Sequence, residues 1–262
     1  MFLFILCCLF IFLLFFFLLQ KKKKKKSFRY QFTYSPVEVK ISYYINAAYL
    51  KKVKAAMQKG MLKRNYQQRM LAFDHDYGHL PLPKNEQLEN GSYLYHMTHA
   101  IPFQMIGSEG GMNYPYLLFR GYGRLNTGES SFVTPLSKEE DYQIVNLLFQ
   151  ELKQNHFENM ILHNVYLSQN RSFFTKQKSQ LMKYFNSKAA RTHPEFQWLS
   201  LWHYEQLAMR VITYLKDQDF EYRTIRISTK GQAAVFPDKV RVELYNQTKG
   251  QLVFQAVVAN QP

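Results

Sequence analysis

Apolar and polar residues alternate along "FRYQFTYSPVEVKISYY", residues 28–44, a period of two that predicts one or two β-strands around Pro36. The period then changes. From Asn46 to about Phe73, "NAAYLKKVKAAMQKGMLKRNYQQRMLAF" sets Ala, Leu, Val and Met at helical spacing, interrupted only by Gly60. "GHLPLPKNEQLENG" reads as loop and "SYLYHMT" as a short strand. The clearest helix is "LSKEEDYQIVNLLFQELKQN": Ser137 is placed to cap it, acids fill its first turn, and Ile144, Leu147, Leu148 and Leu152 share a face.

"NMILHNVYLSQ" follows as a strand, and further helices are expected around "TKQKSQLMKYFNSKAAR" and "FQWLSLWHYEQLAMRVITYLKDQ". In the latter, Trp198 and Trp202 stand four apart on one helix face. Three strands joined by Gly-containing turns close the chain: "EYRTIRIS", "KVRVELYN" and "QLVFQAVVAN". No repeat and no inter-domain linker breaks this order. The expected fold is α+β, a single mixed or antiparallel β domain over residues 28–262 with inserted helices, preceded by an N-terminal hydrophobic helix.

That first helix is expected from residues 1–19, "MFLFILCCLFIFLLFFFLL", an unbroken apolar run long enough to cross a hydrocarbon core of about 30 Å. Residues 1–20 thus read as a transmembrane anchor or signal-like leader and 21–27 as a polylysine juxtamembrane segment. With the lysines following the span and no basic residue ahead of it, the positive-inside rule puts the body on the cytoplasmic side of a single-pass membrane protein. Secretion through a cleaved signal peptide is the rival, against which stand the missing basic n-region and the missing small-residue cleavage site. A Phe/Leu run joined to a Lys run is also what AT-rich non-coding DNA encodes, so a start codon assigned too early is a third reading.

Composition narrows the function classes. The 262 residues are 47% hydrophobic and 16% aromatic, too apolar for a disordered chain. The formal charge of +15 points to acidic partners: nucleic acid, anionic lipid or phosphorylated molecules. Six of the 34 basic residues lie in the 21–26 run, and the other 28 face 19 acids, so the body is basic in its own right. Both cysteines, Cys7 and Cys8, lie in the leader. The body therefore has no disulfide framework, no thiolate nucleophile and no cysteine-ligated zinc.

Three stretches carry candidate chemistry. In "FDHDYGHLPLP", Asp74, His75, Asp76 and His79 form an HDxxH pattern suited to a divalent metal that activates water. It resembles the central His-Asp pair of HD-type metal-dependent phosphohydrolases. That family's site needs a further histidine upstream, and none precedes His75. A polar helix exit, with these side chains on backbone groups, explains the residues as well, and no metal site is favoured.

In "ENGSYLYHMTHAIPFQMIGSEGG", residues 89–111, His96 ends a strand-like run and Thr98 follows it. A histidine held rigidly on a strand can hydrogen-bond a ribose hydroxyl while a neighbouring hydroxyl fixes its tautomer. "YHMT" resembles the first-strand motif of ADP-ribosyltransferase-fold enzymes, and the run through His99 is similar to one in DNA-base ADP-ribosylating toxins. The resemblance extends loosely over 92–250 through two further short motifs. It implies NAD as cofactor, with His96 on the nicotinamide ribose and Thr98 beside it. Tyr166 of "VYLSQ" would stack on the nicotinamide next to Ser168. Glu243 of "KVRVELYN" would be the catalytic acid that stabilises charge as nicotinamide leaves. Glu221 competes for that position. Met97 replaces a usually small residue, and "GSEGG" replaces a Gly-Leu pair. The resemblance implies a membrane-tethered effector- or toxin-like transferase acting on an acidic or phosphorylated partner such as nucleic acid. The alternative is a non-enzymatic basic module that binds protein, anionic lipid or nucleic acid.

The third stretch is "LLFRGYGRLNTGESSFVTP". Gly121, Gly123 and Gly128 free the backbone beside Arg120 and Arg124, a composition able to hold a phosphate, with a glycine-punctuated hairpin as the plainer reading. Arg120-Gly121 resembles the arginine-glycine start of the other ADP-ribosyltransferase branch, at a spacing too short for that branch's Ser-Thr-Ser strand. No Rossmann or P-loop fingerprint and no Gly-x-Ser-x-Gly elbow occurs.

Overall fold

The computed structural model describes residues 30–60, 87, 94–107, 117–127, 138–162 and 199–260. Six strands form one sheet in the order β1-β2-β6-β7-β8-β5: β1 (Tyr30–Tyr34), β2 (Glu38–Asn46), β5 (Met160–Leu162), β6 (Asp219–Ile227), β7 (Lys239–Asn246) and β8 (Gln251–Ala259). Neighbours are antiparallel except β5, which runs parallel to β8, so the sheet is mixed as expected. The alternation in 28–44 resolves into two strands about a turn, where Ser35 N–H donates to Glu38 O at 2.8 Å. Pro36 sits at that corner, outside the ladder, where its missing N–H breaks no sheet bond.

Register assigns the two faces. Val39, Ile41, Tyr43 and Ile45 of β2 stand opposite Arg226, Thr224, Tyr222 and Phe220 of β6. Those in turn face Val240, Val242, Leu244 and Asn246 of β7, all buried. Three helices cover this face: α1 (Ala47–Gln58), α4 (Lys138–Gln154) and α5 (Leu201–Tyr214). The central helix, α5, packs on β2, β6 and β7, with α1 and α4 on its flanks. Asn46 ends β2 and caps α1 at once: its Oδ1 accepts from Tyr49 N–H at 3.1 Å and its Nδ2 donates to Asp219 Oδ1 at 2.9 Å. The helix stops at Lys59, and Gly60 takes φ +66°, the left-handed conformation that glycine adopts freely.

A smaller antiparallel pair, β3 (Tyr95–His99) and β4 (Leu118–Tyr122), lies on the same face of the large sheet, each strand followed by a short helix, α2 (Phe103–Ile106) and α3 (Gly123–Thr127). Polar groups rising from the interior rows pin it there. Thr224 Oγ1 donates to Ala100 O, and Arg226 Nη1 donates to Leu118 O at 3.0 Å and to Ala234 O at 2.8 Å. The hydroxyl of Tyr49 donates to Ile106 O at 2.8 Å. Asn260 ties the chain end to β4, accepting from Tyr122 N–H at 2.8 Å while donating to Pro237 O at 2.7 Å.

The α+β class with a mixed sheet matches the expectation, as do the strands and helices expected within the described residues; the helix expected over 175–191, the 61–73 part of the first helix and the strand expected over 163–169 lie outside them. Of the stretch 117–135, read from sequence as a glycine-punctuated hairpin, the described part is a strand that runs directly into α3, and 128–135 lie outside the described residues. Gly121 is needed for close packing, since a Cβ there would stand 2.6 Å from Leu125 Cδ2 and 3.4 Å from Thr98 Oγ1. The leader and polylysine segment, Asp74 to His79, Tyr166, Ser168 and Gly128 lie outside the described residues. Among the described residues no helix is long and apolar enough to cross a membrane.

Candidate functional site

His96 is half-buried on β3 opposite Gly121, and Thr98 is buried beside it. The Thr98 hydroxyl donates to the backbone carbonyl of His96, at 3.5 Å. The tautomer-fixing contact expected of it would instead engage the imidazole.

Glu243 belongs to a different surface. It stands in the row Ser42–Arg223–Glu243–Gln255, which points away from the helices and from β3–β4. There it takes part in a ladder of alternating charge. Arg241 Nε lies 3.0 Å from Glu243 Oε1, and Arg223 Nη1 lies 3.6 Å from Glu243 Oε2. Arg223 then grips Glu221 with two bonds of 2.6 and 2.8 Å, and Gln247 Nε2 donates to the same carboxylate at 2.6 Å. The Arg223 guanidinium also covers the Tyr245 ring, 4.6 Å from its centroid. Burial alone would raise the Glu221 pKa; hydrogen bonds from Arg223 and Ser42, with the charges of Arg223 and Lys40, outweigh it and hold the carboxyl below its ordinary range. The six-stranded sheet therefore stands between His96 and both candidate glutamates. Their side chains do not share a cleft.

A second constellation joins α4 to the start of α5. Ser200 N–H donates to His203 Nδ1 at 3.1 Å, with Ser200 Oγ also 3.1 Å from that nitrogen. A ring nitrogen that accepts a backbone N–H carries its lone pair there, so the proton sits on Nε2, 2.9 Å from Asp141 Oδ1. Serine, histidine and aspartate are thus linked in the order of a hydrolase triad. The geometry nevertheless belongs to a capping box, with Ser200 as N-cap and His203 as the third helical residue reaching back to it. Ser200 is completely buried and His203 nearly so, which leaves the hydroxyl closed to a substrate. The signal was present in the sequence as the Ser-x-x-His spacing ahead of an apolar helical stripe.

The described residues also frame a cleft of about 900 Å³ among α1, α4 and α5. Its floor is apolar: Leu50 and Met57 from α1, Val145 and Phe149 from α4, Met209 from α5. At one end Gln206 Nε2 donates to Gln104 Oε1 at 3.0 Å, and Tyr142 stacks edge-on against Trp202, centroids 5.3 Å apart. At the other end Lys153 Nζ lies 5.4 Å from the centroid of the Tyr214 ring. Two cations, Lys54 and Arg210, face the cleft, and no carboxylate does among its described lining residues. Arg210 is fixed in place by Asn146 Oδ1, to which it donates, and by the Phe149 ring, 5.1 Å away. Neither partner is charged, so neither neutralises it. Sequence reading missed this site because its walls come from three distant segments, each contributing residues at i, i+3 or i+4, and i+7 that read as ordinary helix faces.

Comparisons with protein-family models, curated proteins and solved structures find no match to this chain.

Proposed function

We propose that the domain is a non-enzymatic basic binding module that engages an acidic partner through the α1–α4–α5 cleft, tethered to a membrane by residues 1–19 with its body on the cytoplasmic side. The carrying observation is the cleft itself: an apolar floor, a few convergent polar groups, and two cations facing no carboxylate among the described lining residues. Its volume falls within the range of about 300–1,000 Å³ usual for ligand sites. The chain's charge of +15 adds long-range attraction for an acidic partner. The transferase expectation, by contrast, needs His96 and a late-strand glutamate in one cleft with NAD, and the sheet lies between them.

The test uses the full chain in a non-ionic detergent and a photoreactive aryl sulfonate as an anionic amphiphilic probe. Labelling is expected to map to peptides from α1, α4 and α5, to be competed by unlabelled sulfonate, and to fall sharply in Thr213→Trp, which fills the cleft from an exposed position of α5. Diffuse labelling, or labelling indifferent to that substitution, would sink the reading. The tether has its own test: alkaline extraction should leave the chain in the membrane pellet, and release to the supernatant counts against an anchor.

A further inference from the structure

Resting on that reading, we infer that the occupant of the cleft is an acidic amphipathic helix of a protein partner. The first argument is shape. Gln206, Met209, Arg210 and Thr213 run as i, i+3, i+4 and i+7 along α5. Tyr142, Val145 and Phe149 run as i, i+3 and i+7 along α4, and Leu50, Lys54, Met57 and Gln58 as i, i+4, i+7 and i+8 along α1. Each row is about 10–12 Å long at a rise of about 1.5 Å per residue, which is two helical turns. Three such rows facing one trough form the seat that a fourth helix fills, its own residues at i, i+3 or i+4 and i+7 packing between theirs.

The second argument is the chemistry of the lining. Met57 and Met209 are pliable and polarisable, a residue type suited to moulding around another protein's apolar side chains. Tyr142 and Tyr214, at opposite ends of the trough, are 42% and 49% exposed, and aromatic side chains with an arginine between them are the composition of a binding hot spot. A buried small-molecule site would enclose such groups; here they stand at an open rim. The third argument is charge. Neither Arg210 nor Lys54 is in an ion pair among the described residues, so the occupant's flanks carry aspartate or glutamate.

The probe is a synthetic peptide of about four helical turns, with leucines along one face and glutamates on the other. Its binding to the full chain is read by fluorescence anisotropy. The controls are the same composition scrambled and a version with lysine for glutamate. We expect the acidic helix to bind about tenfold or more tightly than either control, and Thr213→Trp to remove the preference. Arg210→Gln and Lys54→Gln should each weaken it roughly two- to fivefold, the range for solvent-exposed ion pairs. Equal affinity for the scrambled peptide, or a preference untouched by Thr213→Trp, overturns the inference. If the aryl sulfonate labels the cleft while the helix gains nothing over its scramble, the helical partner is lost and the cleft reading stands. A fatty acid that displaces the sulfonate where the peptide does not gives the cleft to lipid and likewise overturns the inference. If neither probe engages the cleft, both readings fall.

Discussion

Arg226 donates from Nη1 to the carbonyl oxygen of Leu118 at 3.0 Å, joining the interior face of β6 to β4 across 108 positions of sequence. The same nitrogen serves Ala234 O at 2.8 Å, and the guanidinium lies 5.4 Å from the centre of the Phe119 ring. A fully buried arginine in a row of valines breaks the apolar pattern of that face, and the two carbonyls explain it. Both oxygens would otherwise be withdrawn from water without a donor.

Arg226→Met keeps most of the side-chain volume and removes the donors. Each orphaned carbonyl costs on the order of 1–3 kcal/mol. The expected result is a fall in the urea midpoint at unchanged slope, with the β3–β4 layer as the first part of the domain to lose amide protection. A midpoint equal to wild type would show that the bonds contribute nothing net.

Two tyrosines give a matched contrast. The Tyr204 hydroxyl is buried on α5 without a hydrogen-bond partner among the described residues, and burial pushes its pKa far above the ordinary tyrosine value. Removing it in Tyr204→Phe relieves a desolvated polar group, so stability should hold or rise by about 1 kcal/mol. The Tyr49 hydroxyl, by contrast, donates to Ile106 O at 2.8 Å, and Tyr49→Phe should lower stability by about 1 kcal/mol. Thermal melting of the two variants side by side reads the opposite signs.

Acid should weaken the fold through two carboxylates, Glu221 on the outer face of the sheet and Asp238 in the β6–β7 connection. The Glu221 pKa is lowered in the folded state, and so is that of Asp238: burial there would raise it, but bonds from the Thr229 N–H and hydroxyl and the charges of Lys230 and Lys239 prevail. Below about pH 4.5 the unfolded chain binds protons at these groups that the folded chain does not. Their stabilisation is therefore complete at neutral pH and is lost as pH falls through the folded values. Denaturant titrations from neutral pH to about pH 3 should show this decline, with a shallower acid limb in Glu221→Gln. An unchanged limb would mean that the Arg223 bonds do not favour the charged carboxylate.

Gly121→Ala tests why this glycine follows Arg120. Its Cβ would come within 2.6 Å of Leu125 Cδ2, and Leu125 is itself fully buried, so the leucine has little space into which to withdraw. Overpacking of this kind typically costs about 1–3 kcal/mol. Gly121→Ala paired with Leu125→Ala should recover part of the loss in a double-mutant cycle. Strict additivity would place the strain elsewhere.

Periodicity carried most of the fold. The closing strands "EYRTIRIS" and "KVRVELYN" and the helix after Ser137 were legible because their burial repeats every two or every three to four residues. What stayed hidden depends on which face each strand presents to which layer. Alternation sets Glu243 opposite to Val242, but only the β6–β7 register and the donation of Thr224 to Ala100 O show that His96 lies on the Val242 side. Arg226 misleads in the same way, because a charge in an alternating strand reads as solvent-facing until its carbonyl partners are known. The cleft combines both difficulties: Lys54, Tyr142 and Arg210 belong to one wall set only through the packing of α1 and α4 around α5.

The Ser200–His203–Asp141 chain is the arrangement most easily mistaken for catalysis, and the two interpretations diverge experimentally. As a helix cap, Ser200 contributes to stability, and Ser200→Ala should cost about 1 kcal/mol. Asp141→Asn keeps the shape but weakens the acceptor for His203 Nε2–H, loosening the join between α4 and α5. A buried hydroxyl should also resist a fluorophosphonate, which phosphonylates activated serines with loss of fluoride, so mass spectrometry of the folded chain should find Ser200 unmodified. Rapid, stoichiometric modification of Ser200 that disappears in His203→Gln would show an activated nucleophile open to substrate, and the capping account would have to give way.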